Sequence, residues 1–120
     1  MALKKMTTQE FKEKIFDFEN ESEWKFKGDK PVLLDLMASW CGPCKQTGPI
    51  LEEISGERDD IDIYSIDVEQ EQELAGAFGV QSIPTFIFIP TEGKPASAVG
   101  ALPKDTFNEA IDKTIRGETE

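Results

Sequence analysis

Val32-Leu33-Leu34-Asp35-Leu36-Met37-Ala38-Ser39-Trp40-Cys41-Gly42-Pro43-Cys44-Lys45 passes directly from an apolar run into two cysteines three positions apart. Val32 to Ala38 is nearly continuous apolar sequence, as expected of a central strand covered on both faces. Gln46 to Glu57 then reads as a helix burying Ile50, Leu51 and Ile54. The cysteine pair therefore sits where a buried strand hands over to a helix, and that junction sets the fold class. Pro49 lies inside the helix, where it removes one backbone hydrogen bond and is expected to kink the axis.

Upstream, Thr7 and Glu10 form a capping box, and Phe11, Ile15 and Phe18 recur at helical spacing, which predicts a first helix over about 8–18. Asp17 to Lys30 is polar and mostly acidic and reads as a loop, with Trp24 and Phe26 as anchors onto the core. Downstream, Ile61 to Val68 reads as a second strand. A short helix over about 70–78 follows, burying Leu74, Ala75 and Phe78 and ended by Gly79. Thr85 to Ile89 is a β-rich run after Pro84. The Glu92-Gly93-Lys94 turn joins it to a partner strand, Ala96 to Val99, and so short a connection requires an antiparallel hairpin. Pro103 opens a last helix whose inner stripe is Phe107, Ile111 and Ile115. The order α-β-α-β-α-β-β-α describes an α/β three-layer sandwich, with helices on both faces of a mixed sheet of four to five strands. A single domain over residues 1–120 is expected, since 120 residues suffice for one core and no internal repeat is visible.

Composition removes several function classes. The net charge is −11, which argues against nucleic acid and anionic membranes as partners, because neutralising phosphates needs clustered Lys and Arg. The absence of histidine excludes Ser-His and Cys-His catalysis and any His-ligated metal. No apolar run approaches the length of a membrane span, and Met1 to Glu10 lacks the apolar stretch of a signal peptide. A cytoplasmic location is expected, with a periplasmic mature form whose signal has been removed as the alternative. The acidic residues between Glu52 and Glu73 read as a solvated surface.

The chemistry concentrates in the cysteines. At a helix start, free N–H groups and the positive end of the helix dipole stabilise a thiolate on Cys41 and raise the share of nucleophile near neutral pH. Cys44 lies nearly one turn further in and is expected to be the more sheltered. Cys41 would then attack a disulfide and Cys44 resolve the mixed disulfide. A zinc half-site lacks its two further ligands, and a structural disulfide closing so short a loop constrains little of the unfolded chain. Asp35, inside a strand expected to be buried, should have a raised pKa and could exchange the proton of Cys44. Its alternative is an Asp turned toward a helix end or water. Pro84 by sequence alone favours the trans bond of an ordinary strand-entry proline.

Trp40-Cys41-Gly42-Pro43-Cys44-Lys45, with Asp35 upstream and Ile83-Pro84-Thr85 downstream, resembles the thioredoxin family over nearly the whole chain. The resemblance implies a thioredoxin-like fold and a protein-disulfide reductase with no resident cofactor or metal. Cys41 would be the exposed nucleophile, Cys44 the resolving thiol and Asp35 the buried proton-transfer group. It implies a cis bond at Pro84 and a flat docking surface formed by Trp40, Gly42, Pro43, Ile83, Pro84 and the Val99-Gly100-Ala101 turn. Partners would be disulfide-containing proteins and a flavoprotein thioredoxin reductase fed by NADPH, with the protein acting as a monomer. Three departures stand out. Ser65 occupies the place of a lysine common near the buried aspartate, Leu36-Met37 stands where the family often has two aromatics beside the site, and the 17–30 loop is longer and more acidic. Two other readings remain open on sequence: an exchange protein of an oxidising compartment, and a non-redox binding subunit that uses the fold as a scaffold.

Overall fold

The computed structural model describes residues 3–118. Its elements are β1 (Lys4–Lys5), α1 (Thr8–Lys14), β2 (Val32–Met37), α2 (Gly42–Glu57), β3 (Asp62–Asp67), α3 (Gln72–Ala77), β4 (Thr85–Ile89), β5 (Ala96–Val99) and α4 (Lys104–Ile115). They build a five-stranded sheet in the order β1-β3-β2-β4-β5. β1, β3 and β2 run parallel, β4 is antiparallel to β2, and β5 is antiparallel to β4.

β2 is central because its side chains are apolar on both faces. Val32, Leu34 and Leu36 point into one core, where they meet Phe11, Ile15 and Leu74. Leu33 points the other way, into a core built from Leu51 and Ile54 of α2 and Phe107 and Ile111 of α4. Each fully buried aliphatic side chain contributes about 1.5–3 kcal/mol, so removing β2 would cost both cores at once. The second core is closed by Phe86 and Phe107, edge to face with ring centres 4.8 Å apart.

The β4–β5 hairpin has the expected bounds and its antiparallel pairing. Other boundaries moved. The capping box at Thr7 and Glu10 starts α1, but the helix ends at Lys14 rather than near 18. Phe18 still reaches the core from the following loop, 6.0 Å from Phe11. Trp24 and Phe26 pack there too, as anchors of the long acidic loop. α3 is shorter than the pattern suggested, and Gly79 (φ +67°) lies two residues past its end.

α2 starts at Gly42, so Pro43 and Cys44 already lie inside it, and it continues through Pro49 to Glu57. In α4 the inner stripe is Phe107, Ile111 and Thr114. Ile115, expected inside, is 38% exposed, whereas Thr114 is 1% exposed and donates its hydroxyl hydrogen to Ala110 O at 2.8 Å. β1 was not anticipated: two lysines pair with Tyr64 and Ser65 at the sheet edge, and the Met6 N–H donates to Ser65 O at 2.9 Å.

Candidate functional site

The turn after β2 places Cys41 as the N-cap of α2, in extended backbone geometry, with its Sγ accepting the Cys44 N–H at 3.2 Å. A helix begins with unpaired N–H groups, and here a sulfur atom satisfies one of them. Cys41 and Cys44 are joined as a disulfide, with Cα atoms 5.3 Å apart. Gly42 and Pro43 between them are exposed, and Pro43 fits the first turn because its missing N–H would have been unpaired. Thr47, one turn on, is buried and donates its hydroxyl hydrogen to Cys44 O at 3.3 Å.

The expected difference in exposure between the cysteines is absent. Cys41 is 3% exposed and Cys44 is 5% exposed. Both sink into a small apolar cluster with Ala38, against which Met37, Val68 and Ile83 pack. In the disulfide the Cys41 sulfur is bonded to Cys44 and accepts its N–H, and the residue is buried. The asymmetry between the two lies in the helix: Cys41 caps it and Cys44 is within it.

Asp35 lies in β2 and is 2% exposed. It leaves the same face of the strand as Leu33, the face that α2 covers, and its Oδ1 has no hydrogen-bond partner among the described residues. Burial alone pushes its carboxyl up to about 7. The flanking register partners are Ser65 on β3 and Phe86 on β4. Ser65 therefore occupies the lateral position beside the carboxyl, and no cation contributes to the shift.

A third segment meets the pair from β4. The Ile83–Pro84 bond is cis, and Ile83 packs onto the cysteine cluster. The Gly100 N–H donates to Pro84 O at 2.9 Å, tying the Val99-Gly100-Ala101 turn to the proline. Gly100 has φ +95°, a conformation that side chains rarely adopt. Around this core Trp40 is 65% and Val99 60% exposed, large apolar surfaces presented to solvent.

The structure thus joins the cysteine pair to Ile83, and Pro84 to the Gly100 turn, and sets Asp35 on the face beneath α2. A separate cavity of about 560 Å³ lies on the α1–α3 side of the sheet, lined by Phe16, Trp24, Phe78 and Ser97 among others, and includes neither cysteine. Sequence reasoning missed Val68 and Thr47 as neighbours of the pair, whereas Met37, placed beside the site by the family resemblance, packs there and shares the strand face of Asp35 at a spacing of two. Among the described residues no group of three or more His, Cys, Asp or Glu could hold a metal ion, and no helix is long and apolar enough to cross a membrane.

The sequence profile of the thioredoxin family matches residues 2–113. A thioredoxin of Borreliella burgdorferi is 46% identical over 107 residues, covering 88% of this chain and 92% of that protein. A thioredoxin of Bacillus subtilis is 42% identical over 85 residues, covering 70% of this chain and 82% of its own. Among solved structures, chloroplastic thioredoxin z superposes with a TM-score of 0.79 at 23% identity, covering 98% of this chain and 97% of that one; this likeness concerns the fold.

Proposed function

The chain belongs to the thioredoxin family and is a thiol-disulfide oxidoreductase acting through Cys41 and Cys44; from that premise we propose the following division of roles. Cys41 is the attacking thiol. The observation that carries this is the hydrogen bond from the Cys44 N–H to the Cys41 sulfur, because the same N–H and the helix dipole stabilise a thiolate there.

In the reduced protein the Cys41 thiolate attacks one sulfur of a substrate disulfide. A Cys41–substrate bond forms, the substrate S–S bond breaks, and the first substrate sulfur leaves as a thiolate and takes a proton from water. Cys44 then gives its proton to the Asp35 carboxylate. The Cys44 thiolate attacks the Cys41 sulfur, the intramolecular disulfide forms, and the second substrate thiolate departs. Two electrons pass from the dithiol to the substrate. With its carboxyl near 7, Asp35 is populated in both protonation states at neutral pH, as a group that accepts and later returns a proton must be.

Trp40, Gly42, Pro43, Ile83, Pro84 and Gly100 are read as the docking surface. The exposure of Trp40 and the packing of Ile83 on the cysteines support this. Family members act on protein disulfides and are served by thioredoxin reductases. For this chain we read the reductase as a flavoprotein, the working form as a monomeric single domain and the compartment as the cytoplasm, with the periplasm as the alternative. The test is insulin reduction with dithiothreitol as electron source. The protein should accelerate precipitation well above the thiol alone, and Cys41→Ser should remove the acceleration. No acceleration by the wild type would sink the reading.

A further inference from the structure

Met37 follows Asp35 by two positions on β2, so the two side chains leave the same strand face. Leu36 between them is buried in the opposite core. Met37 is half-buried, at the end of the strand, and packs against Ala38, Cys41 and Cys44 beside Val68 and Ile83. Its backbone is fixed there, since its carbonyl accepts the Val68 N–H at 2.9 Å. It therefore lies at the half-buried end of the strand face that carries Asp35, against the cysteine pair.

The other walls around Asp35 are Leu33 behind it on the strand, Ser65 and Phe86 to the sides, and α2 above. The titratable groups facing this space are the Cys41 and Cys44 thiols from α2, once the disulfide opens, and Asp67 of β3, the register partner of Met37. β4 brings Phe86, and α4 packs on this side of the sheet through Phe107 and Ile111, none of them charged.

We propose that Met37 is a positioning residue that caps Asp35, its thioether chain shutting water away from the carboxyl while it waits to take the Cys44 proton. The proposal rests on the reading of Asp35 as a proton acceptor. Two features support it. The perturbation of Asp35 arises from burial, with no charged neighbour contributing, so it depends on whichever groups keep water out. Of the groups around Asp35, Leu33 and Phe86 are fully buried while Met37 and Ser65 are half-buried, and of those two it is Met37 that packs on the cysteine cluster. An unbranched, flexible thioether suits a cap that must yield as Cys44 moves between its thiol and disulfide positions.

The experiment follows the Asp35 carboxyl carbon by NMR across pH in the reduced protein, for wild type, Met37→Leu, Met37→Ala and Met37→Gln. Leu keeps the apolar volume and should leave the titration midpoint where it is. Ala opens a path for water and should lower the midpoint by about one pH unit or more. Gln keeps the chain length with a polar end, so it should lower the midpoint too, and it covers the case in which the Ala variant does not fold. The pH at which mixed-disulfide resolution reaches half its rate should move with the midpoint. An unmoved midpoint in folded Met37→Ala or Met37→Gln overturns the cap. The role of Asp35 is tested apart from this: if Asp35→Asn resolves the mixed disulfide at the wild-type rate at pH 7, the proton-acceptor reading fails, whatever Met37 does to the midpoint.

Discussion

Replacing Asp35 with Asn should stabilise the oxidised protein, and by an amount that depends on pH. The folded carboxyl titrates at about 7 against an ordinary value of 3.8, because burial disfavours its charge. Below about pH 3.8 the group is protonated in both the folded and the unfolded chain, and its contribution to stability is intact. As pH rises past that value the unfolded chain ionises while the folded Asp35 holds its proton, so the unfolded state gains free energy of ionisation that the folded state does not. Stability then declines by about 1.4 kcal/mol per pH unit until about pH 7 and is flat above it. The interval of roughly three units makes the total on the order of 4 kcal/mol. With Asp35 only 2% exposed, little solvent screening reduces it.

Asparagine removes the titration and keeps the shape. Its amide meets the same unpartnered surroundings as the protonated acid, so the variant should match wild type near pH 4 and exceed it above pH 7. Urea midpoints of both proteins at pH 4, 5.5, 7 and 8, with the disulfide intact, measure this directly. A stability difference that is the same at every pH would refute the argument, because a packing change has no reason to follow the Asp35 titration.

The two cores and the Gly100 turn give further tests. Phe107→Ala should cost about 3–5 kcal/mol, since Phe107 is fully buried against Phe86, while Ile115→Lys should cost clearly less because Ile115 is 38% exposed at the edge of the buried stripe; a loss from the second as large as from the first would contradict the observed helix phase. Gly100→Ala should cost about 1–2 kcal/mol through its positive φ alone, as an added Cβ would meet nothing within 4 Å, and it should raise KM for a protein disulfide more than for a small aromatic disulfide. Equal KM changes for both substrates would remove Gly100 from the docking surface.

What the sequence made legible followed the strength of its local signals. β2 stood out because both of its faces are buried, and β4 and β5 because Pro84 and Gly93 punctuate them. The end of α1 was misplaced since Phe18 keeps helical spacing yet packs from a loop, where tertiary contact overrides periodicity. β1 carries no apolar pattern; two lysines become a strand only because β3 offers an edge.

In α4 the helical period separates the two candidates. Taking Phe107 as zero at about 100° per residue, Ile111 falls near 40°, Thr114 near −20° and Ile115 near 80°, so the buried stripe passes through the threonine. At the site, a charge in an apolar run exposed Asp35, and the cysteine spacing exposed the helix start. The near-equal burial of the cysteines depends on how α2 and the Ile83–Pro84 segment close over the strand end, which no local pattern encodes.

The central claim is that Cys41 makes the bond to substrate and Cys44 breaks it. Reduced Cys44→Ser protein, mixed with a disulfide-bonded protein substrate, should accumulate a covalent complex that survives denaturation and is released by dithiothreitol. Peptide mapping should place the link at Cys41, and reduced Cys41→Ser should trap little or none. A complex formed equally well by Cys41→Ser through Cys44 would contradict the account.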